Sequence, residues 1–315
     1  MVDLKDNGLL GWIIGIVLVA IALIAMFPPQ MSILKQASEY AVYIMLCFLF
    51  LSMLFMLLKK EKLMFLSLAC TGILCLFLKG SSNANFIFPE RNNQPTVSLA
   101  QINLSYIDQG YEELLKIIKD LDPEIISFQE VTPDWDYILK TNLSQDYVSK
   151  FSLVRIDPYG MAIYSKKMIA NIDTFMYEEI PNISSEFRLN EETFNLVSSY
   201  LLPPLYSTSA AKSQSHLRKI SAKLAALSGP IFALGDYNLV PWSPELRDFR
   251  EKTGLLPSRR TIGVVKLQIP HDHIMHSIEM ECINFQEIED SRLNHIGIFG
   301  TYQLRSNRRP IAKIQ

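Results

Sequence analysis

The apolar run in PIFALGDYN (230–238) stops at Gly235, and Asp236 and Asn238 follow two residues apart. The same punctuation recurs along the chain. Asn103 closes VSLAQIN, Glu130 closes IISFQE and Tyr200 follows LVSS, while Asp272 precedes an apolar stretch and Asn294 with His295 precedes HIGIFG. If these runs are strands of one layered structure, their polar ends gather along one edge. Carboxylates, amides, a phenol and an imidazole gathered there would make a catalytic cleft, because rigid strands hold side chains whose charges must converge. Singly, each residue has a plainer account. Gly-Asp-Tyr-Asn is good turn chemistry, a lone Glu after Gln129 suits a helix N-terminus, and one histidine beside Ile296 is an ordinary core or surface residue. Only the combination indicates a site.

The elements that must position these residues follow from periodicity. VSLAQIN (97–103), EIISFQEV (124–131), GMAIYSK (160–166), TFNLVSSYLL (193–202) and PIFALGDYN read as strands. YEELLKIIKDL (111–121) puts Leu114, Leu115, Ile117 and Ile118 on one helical face, and 210–228 is a second helix. SPELRDFREKTG is a third, with Ser243 as N-cap, Pro244 at the first helical position and Gly254 past the end. HDHIMHSIEMECINFQEIE and HIGIFGTYQL supply the last strands. Strands outnumber helices in a mixed order, which predicts an α/β (α+β) fold: a four-layer α/β/β/α sandwich of two sheets flanked by helices.

The first 80 residues differ in kind. Segments 9–27, 41–58 and 63–78 carry no charge, and each approaches the roughly 20 residues that cross a bilayer, so three transmembrane helices are expected, the third the shortest. A cleavable signal peptide is the other reading of the first, but its leader MVDLKDNG is acidic and two similar segments follow. Lys59, Lys60 and Lys62 between the second and third spans place that loop, and hence the N-terminus, in the cytoplasm, with everything after Lys79 outside. The expected organisation is 1–80 transmembrane, 81–96 a Ser-, Asn- and Pro-rich linker, and 97–315 the outer domain. Charge-free spans count against a transport pathway through them.

Composition narrows the chemistry. Cys282 is the one cysteine after the spans, so no internal disulfide and no cysteine metal site is expected there. A net charge of −2 is not the footprint of a protein that holds long nucleic acid by its phosphates.

The ordered set of motifs resembles the endonuclease/exonuclease/phosphatase (DNase I-like) superfamily over about residues 97–305. AQIN, PEIISFQE, YGMAIYS, GDYN, PHDHI and LNH stand where members have a strand ending in Asn, then PDIVxLQE, YGxAIxS, GDFN, IDHI and SDH. VPWSP after GDYN resembles the TPWSP of bacterial members with several N-terminal spans. The resemblance implies a Mg²⁺-dependent phosphoric-ester hydrolase, with Mn²⁺ as the other cation to consider. Its substrate would be a nucleic acid, a lipid headgroup or a small molecule. It would sit in the cytoplasmic (inner) membrane with its catalytic domain on the periplasmic side.

Carried over, the resemblance makes Glu130, Asn103 and Asn294 the metal residues and Asp236, Asn238, His295, Asp272 and Tyr200 the catalytic ones. Asp236 would align or deprotonate the attacking water, Asn238 and Asn103 would hold phosphate oxygens or the metal shell, and His295, oriented by Asp272, would neutralise charge on the phosphate. Two positions depart from the pattern. Asn294 replaces an Asp, removing a negative charge, and Tyr200 replaces a His, although abasic-site endonucleases of the superfamily also use Tyr there. The alternative is therefore a catalytically impaired domain serving as a membrane-tethered binding module. Outside the set, His216 and the pair Arg259 and Arg260 are expected to face water. His271, His273 and His276 are expected to pack rather than bind metal, and Phe128 and Met161 to be core.

Overall fold

The computed structural model describes residues 8–29, 36–81, 87–107, 110–189, 192–203, 207–260 and 269–306. The leader before Gly8, most of the start of the linker (82–86) and the C-terminal tail lie outside the described residues.

Three apolar helices come first: α1 (Gly8–Met26), α2 (Ala41–Leu57) and α3 (Glu61–Ser81). The expectation of three spans is corrected here. By length and composition two helices can cross a membrane, α1 with 19 residues and α3 with 21, while α2 has 17. The shortest is thus the middle segment, not the third. The reason is the left-handed conformation of Lys59 (φ 55°), which ends α2 and turns the chain into α3. α3 then gains Glu61 and Lys62 at its start and Lys79 to Ser81 at its end. The helices pack on each other through Leu18, Ala22, Met45, Phe48, Cys70 and Leu74, and Ser67 Oγ donates to Phe48 O at 2.7 Å.

The rest is built on strands β1 (Thr96–Asn103), β2 (Ile125–Gln129), β3 (Ser149–Leu153), β4 (Met161–Ser165), β5 (Ile169–Tyr177), β6 (Ile180–Leu189), β7 (Glu192–Ser199), β8 (Ile231–Asp236), β9 (Leu256–Pro257), β10 (Asp272–His276), β11 (Met280–Glu289) and β12 (His295–Leu304). They form two six-stranded sheets, ordered β11-β12-β1-β2-β4-β3 and β5-β6-β7-β8-β10-β9. Side chains alternate across each strand. Val97, Leu99, Ile163, Leu196, Phe232 and Leu234 point between the sheets and fill one core. Ala100, Ile102, Ile126 and Phe128 point the other way, under α4 (Tyr111–Leu121) and α5 (Pro133–Leu143). Val197, Ala233 and Met275 do the same beneath α6 (Ser207–Ala225) and α7 (Pro244–Thr253). The four-layer sandwich expected from the sequence is the fold.

Local signals behave as their chemistry requires. Ser243 Oγ accepts from Leu246 N, Pro244 starts α7, and Gly254 ends it at φ 70°. α5 is an addition, with Thr132 as N-cap and Pro133 at its first position. So are β3 and the β5–β6 hairpin, whose partly exposed outer strand lacks an apolar run. His216 is a correction: it is buried, stacked on Tyr177 at 4.6 Å, with Nε2 2.9 Å from Asn182 Oδ1. The face of α6 that carries it packs on the sheet rather than facing water.

Candidate active site

Register decides what meets what. β1 and β2 are parallel with Asn103 beside Gln129, and β8 and β10 are antiparallel with Asp236 opposite Asp272. The C-terminal ends of β1, β2, β7 and β8 and the starts of β10 and β12 therefore share one edge of the sandwich. Glu130 follows β2 in a left-handed conformation (φ 59°), and Asn238 does the same after β8 (φ 50°). Each breaks its strand and turns its side chain into the cleft edge.

Asn103 is the centre of the arrangement. Its amide Nδ2 donates to Glu130 Oε1 at 3.1 Å and to Asp236 Oδ2 at 3.4 Å, while Oδ1 accepts from Ser105 N at 3.0 Å. Tyr106 donates its hydroxyl to the same Asp236 oxygen at 3.3 Å. Asp236 Oδ1 accepts from Asn238 N at 2.9 Å, and Asn238 Nδ2 donates to Leu201 O at 2.8 Å. Tyr200 is buried beside Asn238, its ring 5.9 Å from that of Tyr159. On the far side His295 Nε2 lies 2.7 Å from Asp272 Oδ2, and its Nδ1 lies 3.1 Å from Glu287 Oε2.

The electrostatics follow from crowding acids in a buried place. Burial first, then the neighbouring Asp272, pushes the Asp236 carboxyl up to about 7. The Tyr106 and Tyr200 hydroxyls are held protonated for the same two reasons, burial and nearby carboxylates. Asp272 Oδ1 is buried with no hydrogen-bond partner. Among the described residues none donates to that oxygen, which leaves it open to a bound ion or ligand.

Beneath the site a polar bridge ties the sheets. Gln129 donates to Ser199 O at 2.8 Å and accepts from Asp236 N at 2.9 Å and from Gln101 Nε2 at 3.0 Å. Gly235 (φ 143°) makes room for it, since a Cβ there would overlap Ser199 O and crowd Gln129 Nε2.

Of the expected site residues, Asn103, Glu130, Tyr200, Asp236, Asn238, Asp272 and His295 lie at this edge in the contacts just given. Asn294 is turned elsewhere: its Nδ2 donates to Asp290 Oδ2 at 2.9 Å and its backbone N to Asp290 Oδ1 at 2.7 Å. Arg259 and Arg260 are corrections, both buried rather than facing water. Arg259 is ion-paired with Glu287, the residue that touches His295, and donates to Asp272 O at 3.3 Å. Sequence reasoning missed Tyr106, Gln129, Glu287 and Arg259. Gln129 carried a signal, an amide inside an otherwise apolar strand; the others carried none. His273 packs as expected, fully inside and 2.7 Å from Leu239 O, and His276 packs on Tyr302 at 5.6 Å.

Among the described residues no group of three or more His, Cys, Asp or Glu side chains is arranged to hold a metal ion. Mg²⁺ asks for less, since it binds through one or two carboxylates and keeps several waters. Glu130 beside Asp236, with an unpartnered oxygen on Asp272, is a donor set that fits such an ion.

A sandwich of this topology with acids, amides and an Asp–His pair along one edge defines a phosphoester-hydrolase class of fold. The chain belongs to the Endonuclease/Exonuclease/phosphatase family, which matches residues 83–301. Among solved structures it is similar to D. rerio TDP2 complexed with single strand DNA product, at 14% identity and TM-score 0.54 over 66% of this chain and 99% of that one. A Bacteroides thetaiotaomicron family protein matches at 15% identity and TM-score 0.53, over 68% of this chain and 100% of that one. The human Nocturnin catalytic domain with bound sulfate matches at 15% and 0.54, over 68% and 97%. No curated protein matches the chain. At such identities the structural matches establish the fold.

Proposed function

We propose that this chain is a membrane-anchored, Mg²⁺-dependent phosphoric-ester hydrolase acting outside the cytoplasm. The observation that carries the reading is Asn103 spanning Glu130 and Asp236 while the Asp272–His295 pair stands opposite. Glu130 would hold the cation beside Asp236, with Asn103 positioning both carboxylates through its amide Nδ2. The bound ion supplies charge neutralisation at the phosphate oxygens. Asp236 orients the attacking water and takes its proton, with Tyr106 and Asn238 fixing the carboxylate. His295 and Tyr200 contact phosphate oxygens, and Asp272 orients His295. Positioning and charge stabilisation of this kind are what phosphoryl transfer requires.

Residues 1–80 anchor the chain, 81–96 tether it, and 97–315 form the hydrolase domain. The anchor reading is supported by apolar side chains on the outside of the helices, among them Trp12, Ile16, Phe50, Met53 and Leu76. The basic Lys59–Lys60 turn lies at the opposite end of the helices from the catalytic domain; a cytoplasmic turn with an external domain requires the 17-residue α2 to cross as well as α1 and α3.

The test uses the purified full-length chain in detergent, assayed on bis(p-nitrophenyl) phosphate and plasmid DNA with Mg²⁺ or with EDTA. Hydrolysis that needs both Mg²⁺ and Asp236 is expected. Equal rates in EDTA, or in Asp236→Ala, would sink the proposal. A second reading, a binding module of impaired activity, is favoured by the Asn294 amide being spent on Asp290. A large gain of turnover in Asn294→Asp would support it; no gain would leave the wild-type site competent.

A further inference from the structure

The loops that leave the active-site edge run straight into the helical bundle. Val240 and Trp242, two and four residues after Asn238, are buried among α1, α2 and α3, and Ile269, three before Asp272, packs on the same cluster. Trp242 Nε1 donates to Ser38 O at 2.5 Å, just ahead of α2. Arg250 donates to Ser81 O at 2.6 Å at the end of α3, and Arg247 lies over Phe77 at 5.4 Å. The catalytic edge therefore sits on the end of the bundle where α1 and α3 finish and α2 begins. Four residues of chain reach at most about 14 Å.

The rim of the same edge carries exposed apolar side chains. Ile156 lies in the β3–β4 loop and Leu293 in the β11–β12 turn, exposed by 92% and 64%. Single exposed apolar residues are ordinary. Here two separate turns place them at the edge where β1 and β2 end, the edge that also meets the ends of helices with apolar outward faces.

We infer that the cleft opens at the membrane surface, with this rim seated in the headgroup layer, and that the substrate is the phosphodiester of a membrane lipid headgroup. The inference rests on the hydrolase reading above. Headgroup phosphates lie within the few ångströms between hydrocarbon and water, at the height to which Trp242 and the helix ends hold the site. The reaction balances as hydrolysis: water oxygen bonds to phosphorus, one P–O ester bond breaks, and the proton removed from water goes to the departing alkoxide. A phosphomonoester and an alcohol result. A duplex or long single strand would have to reach a cleft that lies against the bilayer surface.

The experiment reconstitutes the full chain, with Mg²⁺, into vesicles of phosphatidylethanolamine, phosphatidylglycerol, cardiolipin and phosphatidylcholine. Lipid turnover is followed by mass spectrometry, and bis(p-nitrophenyl) phosphate and single-stranded DNA are assayed in the same preparation. Asp236-dependent turnover of vesicle lipid is expected. In Ile156→Asp and Leu293→Asp the ratio of lipid turnover to bis(p-nitrophenyl) phosphate hydrolysis should fall at least tenfold. Hydrolysis of the soluble ester or DNA with intact lipid would overturn the inference and leave the hydrolase reading standing. So would an unchanged ratio in both rim variants. No Asp236-dependent hydrolysis of anything would remove the hydrolase reading itself.

Discussion

Asp236 and Asp272 face each other across the β8–β10 ladder, both buried, and among the described residues no basic side chain other than His295 donates to either carboxylate. Asp272 adds to the burial that makes Asp236 costly to ionise. That cost is the driving force available to a cation.

It follows that Asp236→Asn should stabilise the metal-free protein while removing activity. Relief of one buried charge is expected to add about 1–2 kcal/mol, a shift of a few degrees in Tm, and loss of the base to cost about 10³-fold in kcat. Thermal melts of wild type and variant, with and without Mg²⁺, check this. Mg²⁺ should raise the Tm of wild type more than that of the variant.

The site histidine is clamped from behind. Arg259, buried, pairs with Glu287, and Glu287 meets His295 Nδ1. Glu287→Ala strands a buried guanidinium and should cost about 3–5 kcal/mol, measured by chemical or thermal unfolding. Glu287→Gln keeps a hydrogen-bond partner for both neighbours. It should unfold later than Glu287→Ala yet still lower kcat about tenfold, with KM little changed.

Gly235→Ala is expected to fail to fold or to lose more than about 3 kcal/mol, because the backbone at φ 143° is closed to a side chain and the Cβ would strike Ser199 O. Circular dichroism and solubility of the expressed variant decide it. A stable, active Gly235→Ala would mean the sheets can part at this point.

Acid should destabilise the fold before it titrates most carboxylates. Burial pushes His216 down to about 4, His273 to about 3 and His276 to about 4. Their pKa values are depressed in the folded state, so below pH 6.5 the unfolded chain binds protons that the folded chain refuses. Stability contributed by these neutral rings is therefore lost as pH falls from about 6.5 toward 4, by up to about 3 kcal/mol each. Asp236 acts in the opposite direction, since its raised pKa favours the folded state on the acid side of 7. Three groups outweigh one, and Tm should drop between pH 6.5 and 4.5. His276→Gln should flatten that drop.

Much of the sandwich was legible because its cues are local. Apolar alternation marked β1, β2, β4, β7 and β8, and Ser243, Pro244 and Gly254 marked both ends of α7 within the chain itself. β5 was not legible, since an edge strand with one partner needs no apolar run. His216, Arg259 and Arg260 were misjudged as solvent-facing for a related reason. A polar side chain announces its chemistry but not the partner, Asn182 or Glu287, that makes its burial tolerable.

The sequence by itself determined which residues end strands as polar groups, that three apolar runs lie within the first 80 residues, and the order of motifs that places the chain in its family. Only the tertiary structure decided that Asn103 bridges Glu130 and Asp236, that Asn294 is committed to Asp290, and that Trp242 fastens the catalytic edge to the helix ends. Periodicity and capping are written over a few residues. Contacts between residues 103 and 236, or 38 and 242, depend on how two sheets and a bundle pack, and no local pattern encodes that.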